Sequence, residues 1–350
     1  MRSACPSICV FEPTATSRRL PIPHAMATAL QSSLFPTLSS ARQLSPTEGS
    51  LLQALDRTAT LLDRMDLAAL EALVPSLNLA RLAQGATAWK NTVARIVAPH
   101  RLRSMLHEEP LTRHAFQKPR GYPGDAALLD LIYRNEPFDG PMTPLGERIH
   151  AWSATQQAVR SVYERRDILA SLIDRIAAER PLPRILSLAC GHLREAQRSE
   201  AVRTNAVGEI VAVDQDPLSL EVVARESNSA RVTPVKASIR RFLVDPTIYG
   251  DFDLVYSAGL YDYLEDETAK RLTSSMFAAL RPGGTLVVAN FAPELLDIGY
   301  MEAVMDWNLI YRDESGVARF CDGLPVEQIA EQKMERDSAG NVVYLTVRKC

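Results

Sequence analysis

The stretch Leu186-Ser-Leu-Ala-Cys-Gly-His-Leu-Arg-Glu195 decides the fold. A short apolar run, Arg184–Leu188, leads into a turn carrying Gly191, and a helical pattern follows from His192 to about Arg203. This is the outline of a strand entering a helix in an open α/β sheet, where ligands bind beyond the carboxyl ends of the strands. A glycine in that turn lets the backbone approach a ligand with no Cβ in the way. The next run, Glu209–Val213, ends at Asp214 and so places a carboxylate where it can accept both hydroxyls of a ribose. A pyrophosphate would need further glycines, but Gly191 is followed by His192 and Leu193. A nucleoside without phosphate is favoured.

Working outward, further strand candidates are Arg231–Val235, Phe252–Tyr256 and Gly284–Ala289. Helical stretches at Pro217–Asn228, Ser238–Val244 and Glu267–Leu280 separate them. Strands alternating with crossover helices require a mainly parallel sheet covered on both faces. The end differs: Gln332–Arg336 and Val342–Arg348 flank Asp337-Ser-Ala-Gly-Asn341 as a hairpin. The expected fold is α/β and Rossmann-like, a mainly parallel seven-stranded sheet with an antiparallel C-terminal hairpin. Upstream, residues 46–180 show three- and four-residue apolar spacing and end at Pro181 and Pro183, so they form a helical region. Residues 181–350 are the sheet domain. Residues 1–45 mix Ser, Thr, Pro and Ala with Arg2, Arg18, Arg19 and Arg42 around one acid, Glu12. They read as a flexible leader, or as the product of an upstream start with Met26 the true beginning, ahead of a transit peptide.

The 350 residues are 46% hydrophobic and 23% charged, an ordinary globular balance. With 39 basic and 42 acidic side chains the net charge is −3, which disfavours nucleic acid and anionic membranes as partners. The five cysteines, Cys5, Cys9, Cys190, Cys321 and Cys350, are scattered and fit neither a disulfide framework nor a zinc site. A reducing cytoplasm is the expected location, and no apolar run is long enough to span a bilayer.

Three further landmarks complete the pattern: Tyr256-Ser-Ala-Gly-Leu-Tyr-Asp-Tyr263 after the fourth strand, Leu280-Arg-Pro-Gly-Gly284 before the fifth, and the terminal hairpin. In this order and spacing they resemble class I S-adenosylmethionine-dependent methyltransferases from about Arg184 to the end. Upstream, Lys118-Pro-Arg-Gly-Tyr-Pro-Gly-Asp125, Leu131-Ile-Tyr133 and Tyr163-Glu-Arg-Arg166, with Met301–Arg312 downstream, resemble a narrower bacterial group. A member of that group makes the methyl ester of 3-hydroxypalmitic acid. The resemblance implies S-adenosyl-L-methionine as cofactor and a small-molecule acceptor. It also implies a cofactor site at Ala189, Cys190, Gly191, Asp214, Gln215, Ser238, Ile239, Ser257, Ala258 and Gly259.

Two departures from the class pattern stand out. Ser187 occupies the place where many such enzymes carry an acid, and Leu193 replaces a loop glycine. The ammonium of the methionine moiety then needs another carboxylate. Asp125 in the Gly121–Asp125 turn is the candidate, with Tyr122 or Tyr133 closing over the cofactor; the alternative is a turn that only caps the helix at Ala126. Ser238 can meet the adenine amine or merely start its helix. Tyr261, Asp262, Tyr263 and His192 are the candidate catalytic groups, one of the three consecutive residues expected to line the acceptor site and another to pack. Trp307, Tyr311 and Arg312 are candidate acceptor contacts, with Arg312 able to fix a carboxylate or simply to form an exposed salt bridge. The basic stretch Arg160–Arg175 reads as the solvated face of a helix.

Methyl-ester formation on a hydroxy or fatty acid is the first expectation, since a carboxylate needs no general base. N-methylation of an amino acid or a natural-product precursor is the second. A non-catalytic S-adenosylmethionine-binding module engaging a protein partner is the third. The helical region is expected to act as lid and acceptor wall, with homodimerisation as its alternative role.

Overall fold

An apolar period needs a cap before it can start a helix, and Ser45 supplies one. Its hydroxyl accepts from the Glu48 amide at 3.3 Å, while the Glu48 carboxylate takes the Ser45 amide at 2.8 Å. The computed structural model describes residues 44–134, 140–227 and 231–350. The Met26 start, Cys5, Cys9 and all of the expected leader up to residue 43 lie outside the described residues. Helices Pro46–Leu62, Ala68–Gln84 and Gln157–Glu179 carry the helical half, with shorter helices between them.

The sheet follows. Its strands are β1 (Arg184–Leu188), β2 (Glu209–Asp214), β3 (Val232–Lys236), β4 (Phe252–Ser257), β5 (Leu280–Phe291), β6 (Ile329–Arg336) and β7 (Val342–Lys349). Their order is β3-β2-β1-β4-β5-β7-β6. The pairings from β3 to β5 are parallel, and β7 runs antiparallel to both of its neighbours. The expected seven-stranded α/β sheet is therefore the observed one. Two strand starts move by three residues or more: β5 begins at Leu280 rather than Gly284, because Leu280 pairs with Phe252 across a register shift, and β6 begins at Ile329 rather than Gln332, because Ile329 pairs with Lys349.

Leu44–Cys350 forms one compact unit. One apolar cluster joins the helical half to one face of the sheet, bringing Leu70, Leu77, Trp152, Ile173, Ile185 and Leu254 together; the other face holds a second cluster around Phe242, Phe252 and Tyr261. The close approach of the two halves is visible at Gly299, where a Cβ would meet the Asn78 amide nitrogen at 2.5 Å.

The Gln157–Glu179 helix corrects the reading of Arg160–Arg175 as a solvated face. Arg165 and Arg166 are only 6% and 7% exposed. Arg166 donates to the Tyr133 carbonyl at 2.6 Å and stacks on the Tyr163 ring at 4.4 Å. A helix period reveals that such residues share a face, but not that other elements cover it.

Candidate functional site

The carboxyl ends of β1 and β2 build the floor of a cleft of about 540 Å³, within the range of small-molecule sites. The turn after β1 is shaped by backbone bonds. The Cys190 amide donates to the Val213 carbonyl at 3.1 Å, and Ala189 and Gly191 both adopt left-handed conformations. Asp214, at the tip of β2, holds that turn: its Oδ2 accepts from the Gly191 amide at 2.8 Å and its Oδ1 from the Asp216 amide at 2.9 Å. Burial pushes the Asp214 carboxyl above its usual range even though these amides oppose the shift. Ala189, Gly191, Asp214, Gln215, Ile239 and Gly259 all line the cleft.

The opposite wall comes from the turn after β4. Asp262 and Tyr263 face the cleft together with Phe291 and Trp307. Asp262 accepts from the Phe291 amide at 2.7 Å, and the Tyr263 hydroxyl accepts from Trp307 Nε1 at 2.9 Å. Tyr122 meets Tyr263 edge-on, with ring centroids 6.3 Å apart. Gly124 fits beneath: a Cβ there would meet Trp307 Cζ2 at 2.6 Å and Tyr263 Oη at 2.7 Å. Only a glycine leaves these two rings in place.

Burial pushes the Asp262 carboxyl up to about 6, against the Phe291 amide and the charges of Arg165 and Arg312. A raised folded-state value means that the folded chain binds this proton more tightly than the unfolded chain does. The stability it contributes is complete below the ordinary 3.8 and is lost as pH rises through about 6. Asp262→Asn, neutral throughout, should therefore gain stability relative to the wild type between about pH 4 and about pH 6. Thermal unfolding against pH reads this, and a constant difference across that window would refute the raised value.

Several expected site residues stand elsewhere. Asp125 is fully buried: its oxygens take His114 Nε2 at 2.9 Å and the Leu128 amide at 2.9 Å, so it caps the Ala126–Arg134 helix and does not reach the cleft. Tyr261 packs in the second core cluster, its hydroxyl on Thr273 at 2.9 Å, because the 3₁₀ turn carrying it spaces successive side chains about 120° apart, so that one of the three faces the core. His192 is tied by Nδ1 to Asp130 at 2.8 Å, within an ionic cluster that includes Arg194. Ser257 donates to the Leu188 carbonyl at 2.9 Å and joins β4 to β1. Ser238 starts the Ile239–Val244 helix without a side-chain cap bond.

Tyr133, Cys190 and Ala258 line a small side chamber rather than the cleft itself. Burial holds the Cys190 thiol well above its ordinary value, which makes it inert. Tyr311 lies half-buried beneath Arg81, whose guanidinium is 5.7 Å from the ring centroid. Arg312 is neither a substrate clamp nor an exposed salt bridge. It is a buried tie between Asp266, Asn290 and the carbonyls of Tyr261 and Leu264.

Three residues near the cleft do not announce themselves as site residues in the sequence. Arg120 sits at the rim and pairs with Asp216 at 2.7 Å. Arg165 enters the cleft from the Gln157–Glu179 helix, and Glu195 faces the side chamber. Arg165 and Arg120 lie inside the strings Tyr163–Arg166 and Lys118–Asp125, so the motifs carry a signal that their residue types alone do not.

Comparison with known proteins agrees with this geometry. Residues 185–284 match the family model of a methyltransferase domain. No curated protein matches the chain. Among solved structures, a possible exported protein from Bordetella parapertussis is 19% identical, with a TM-score of 0.57 over 87% of this chain and 99% of that one, a likeness of fold. Magnesium protoporphyrin IX methyltransferase from Synechocystis PCC 6803 is 12% identical, with a TM-score of 0.43 over 63% of this chain and 92% of that one. The N-methyltransferase NodS from Bradyrhizobium japonicum is 14% identical, with a TM-score of 0.38 over 52% of this chain and 95% of that one. These last two superpose too loosely to bear on function.

The matched segment is a methyltransferase domain, and its strand order, with β7 inserted antiparallel beside β5, makes it a class I domain. Its methyl donor is S-adenosylmethionine, and the donor set of the cleft fits that group. A carboxylate at the tip of β2 suits a ribose diol, the apolar Ile239 and Leu260 suit an adenine, and the turn after β1 offers a single glycine rather than a pyrophosphate cradle. Among the described residues no helix is long and apolar enough to cross a membrane.

Proposed function

We propose that the chain methylates the carboxylate of a hydroxy or fatty acid in the cytoplasm, giving a methyl ester. The observation that supports this reading is an apolar chamber behind the cleft. Leu111, Ile132, Trp152, Met301 and Met305 line it, and it shares Val162, Phe291 and Trp307 with the cleft. At about 40 Å³ the chamber holds a short apolar group, whose carboxylate would face the cleft. The Ser153 hydroxyl, 4% exposed and without a hydrogen-bond partner, also lines the chamber and can meet a hydroxyl on such a group.

When bound, S-adenosylmethionine supplies an electrophilic methyl group on a sulfonium. The chain has to align the acceptor and exclude water. Trp307 and Tyr263, bonded to each other, form the wall between chamber and cleft and fix where an acceptor head can sit. A carboxylate is already ionised near neutral pH and asks for no proton acceptor. One observation favours an amine instead: Asp262, facing the cleft with its carboxyl pushed up to about 6 by burial, can take a proton.

The two readings separate with methyl-labelled S-adenosylmethionine and a panel of fatty acids, hydroxy acids and amines. A methyl ester releases volatile labelled methanol in alkali, whereas an N-methyl product keeps its label. The expected result is alkali-volatile label, preference for acids with a short apolar chain, and turnover by Asp262→Asn within about tenfold of wild type. Alkali-stable label together with an inactive Asp262→Asn would establish the amine.

A further inference from the structure

The turn after β1 lacks the acid expected to meet the donor's ammonium, since Ser187 is 1% exposed and lies within the strand. At that end of the cleft a side chamber of about 60 Å³ opens, sharing Ala126, Ala189, Gly191 and Gly259 with the cleft. Four charged side chains face it; Asp130 and Arg194 pair with each other at 2.5 Å, whereas Arg165 and Glu195 do not. Arg165, 6% exposed, lines both spaces and donates to the Ala258 carbonyl at 2.7 Å. Glu195, 7% exposed, accepts from the Tyr256 hydroxyl at 2.7 Å.

Neither side chain forms an ion pair among the described residues, although they are of opposite charge and face the same chamber. A buried charge without an ionic partner is costly, and a guanidinium has five donors, more than the Ala258 carbonyl and the Tyr133 hydroxyl can satisfy. A ligand end carrying an ammonium and a carboxylate would pair both at once.

We propose that Glu195 and Arg165 hold the zwitterionic amino-acid end of the methyl donor, Glu195 taking the ammonium and Arg165 the carboxylate. The assignment rests on the S-adenosylmethionine reading of the cleft. It replaces Asp125, whose oxygens are occupied by the helix cap and by His114. It also gives the Tyr163–Arg166 string a job: the helix presents Arg165 to the donor while Arg166 locks onto Tyr133.

The test is calorimetry with two ligands. S-adenosylhomocysteine carries the amino-acid end, and 5′-methylthioadenosine is the same nucleoside thioether without it. Arg165→Met and Glu195→Gln should each lose roughly 10- to 100-fold in affinity for the first and bind the second like wild type. Arg165→Lys should recover part of the loss. Unchanged 5′-methylthioadenosine binding shows that each variant is folded. If the variants bind S-adenosylhomocysteine as wild type does, or lose both ligands in proportion, the assignment is overturned while the cofactor reading stands. If wild type binds neither ligand, the cofactor reading itself falls and takes this assignment with it.

Discussion

Asp214→Ala should weaken S-adenosylhomocysteine binding by roughly 10- to 100-fold and lower the melting temperature as well. Two losses combine. The carboxylate can no longer accept the ribose hydroxyls, and hydrogen bonds to a charged group contribute about 1.5–3 kcal/mol. The Gly191 and Asp216 amides, held at 2.8 and 2.9 Å, also lose their acceptor, so the turn beneath the nucleoside loosens. Asp214→Asn separates the effects, because its carbonyl oxygen can keep one amide while the charge is gone. Since burial raises the Asp214 carboxyl, affinity should begin to fall with decreasing pH sooner than an ordinary aspartate would dictate. Calorimetry of the three proteins checks this. Wild-type affinity in Asp214→Ala would mean that the nucleoside lies elsewhere.

Arg312→Met should be the most destabilising single change near the site, costing about 3 kcal/mol, or roughly 6–12 °C in melting temperature. The guanidinium is buried and reaches four partners: Asp266 at 2.7 Å, the Leu264 carbonyl at 2.6 Å, Asn290 at 2.9 Å and the Tyr261 carbonyl at 3.1 Å. Methionine keeps the apolar stem against Phe320 but removes the donor these four acceptors share. The carbonyls belong to the turn that carries Asp262 and Tyr263, so the wall of the cleft should loosen with the fold. An exposed ion pair would contribute under about 1 kcal/mol, and a melting temperature within about 2 °C of wild type would reduce Arg312 to that role.

The cleft's floor is legible in the sequence because it is local. The apolar run ending at Leu188, the glycine turn at Gly191 and the acid at Asp214 each follow from strand ends a few residues long. Tyr261 and Tyr263 are not separable in that way, because a three-residue turn carries one into the core against Phe320 and the other to the cleft. Asp125 is legible as a helix cap from its position before Ala126, but His114, its other partner, sits on a separate helix.

The succession of strands and helices, the mainly parallel sheet with its terminal hairpin, and the helical half were determined by the sequence alone, because apolar period and turn chemistry act over neighbouring residues. Which polar groups are buried, and against what, was decided only by the tertiary structure. Glu195 meets Tyr256 from 61 positions away and Arg165 meets Ala258 from 93, and neither encounter leaves a trace in local spacing. The reason is physical: a charged side chain on a helix reads as solvated until the sheet that removes its water is in place.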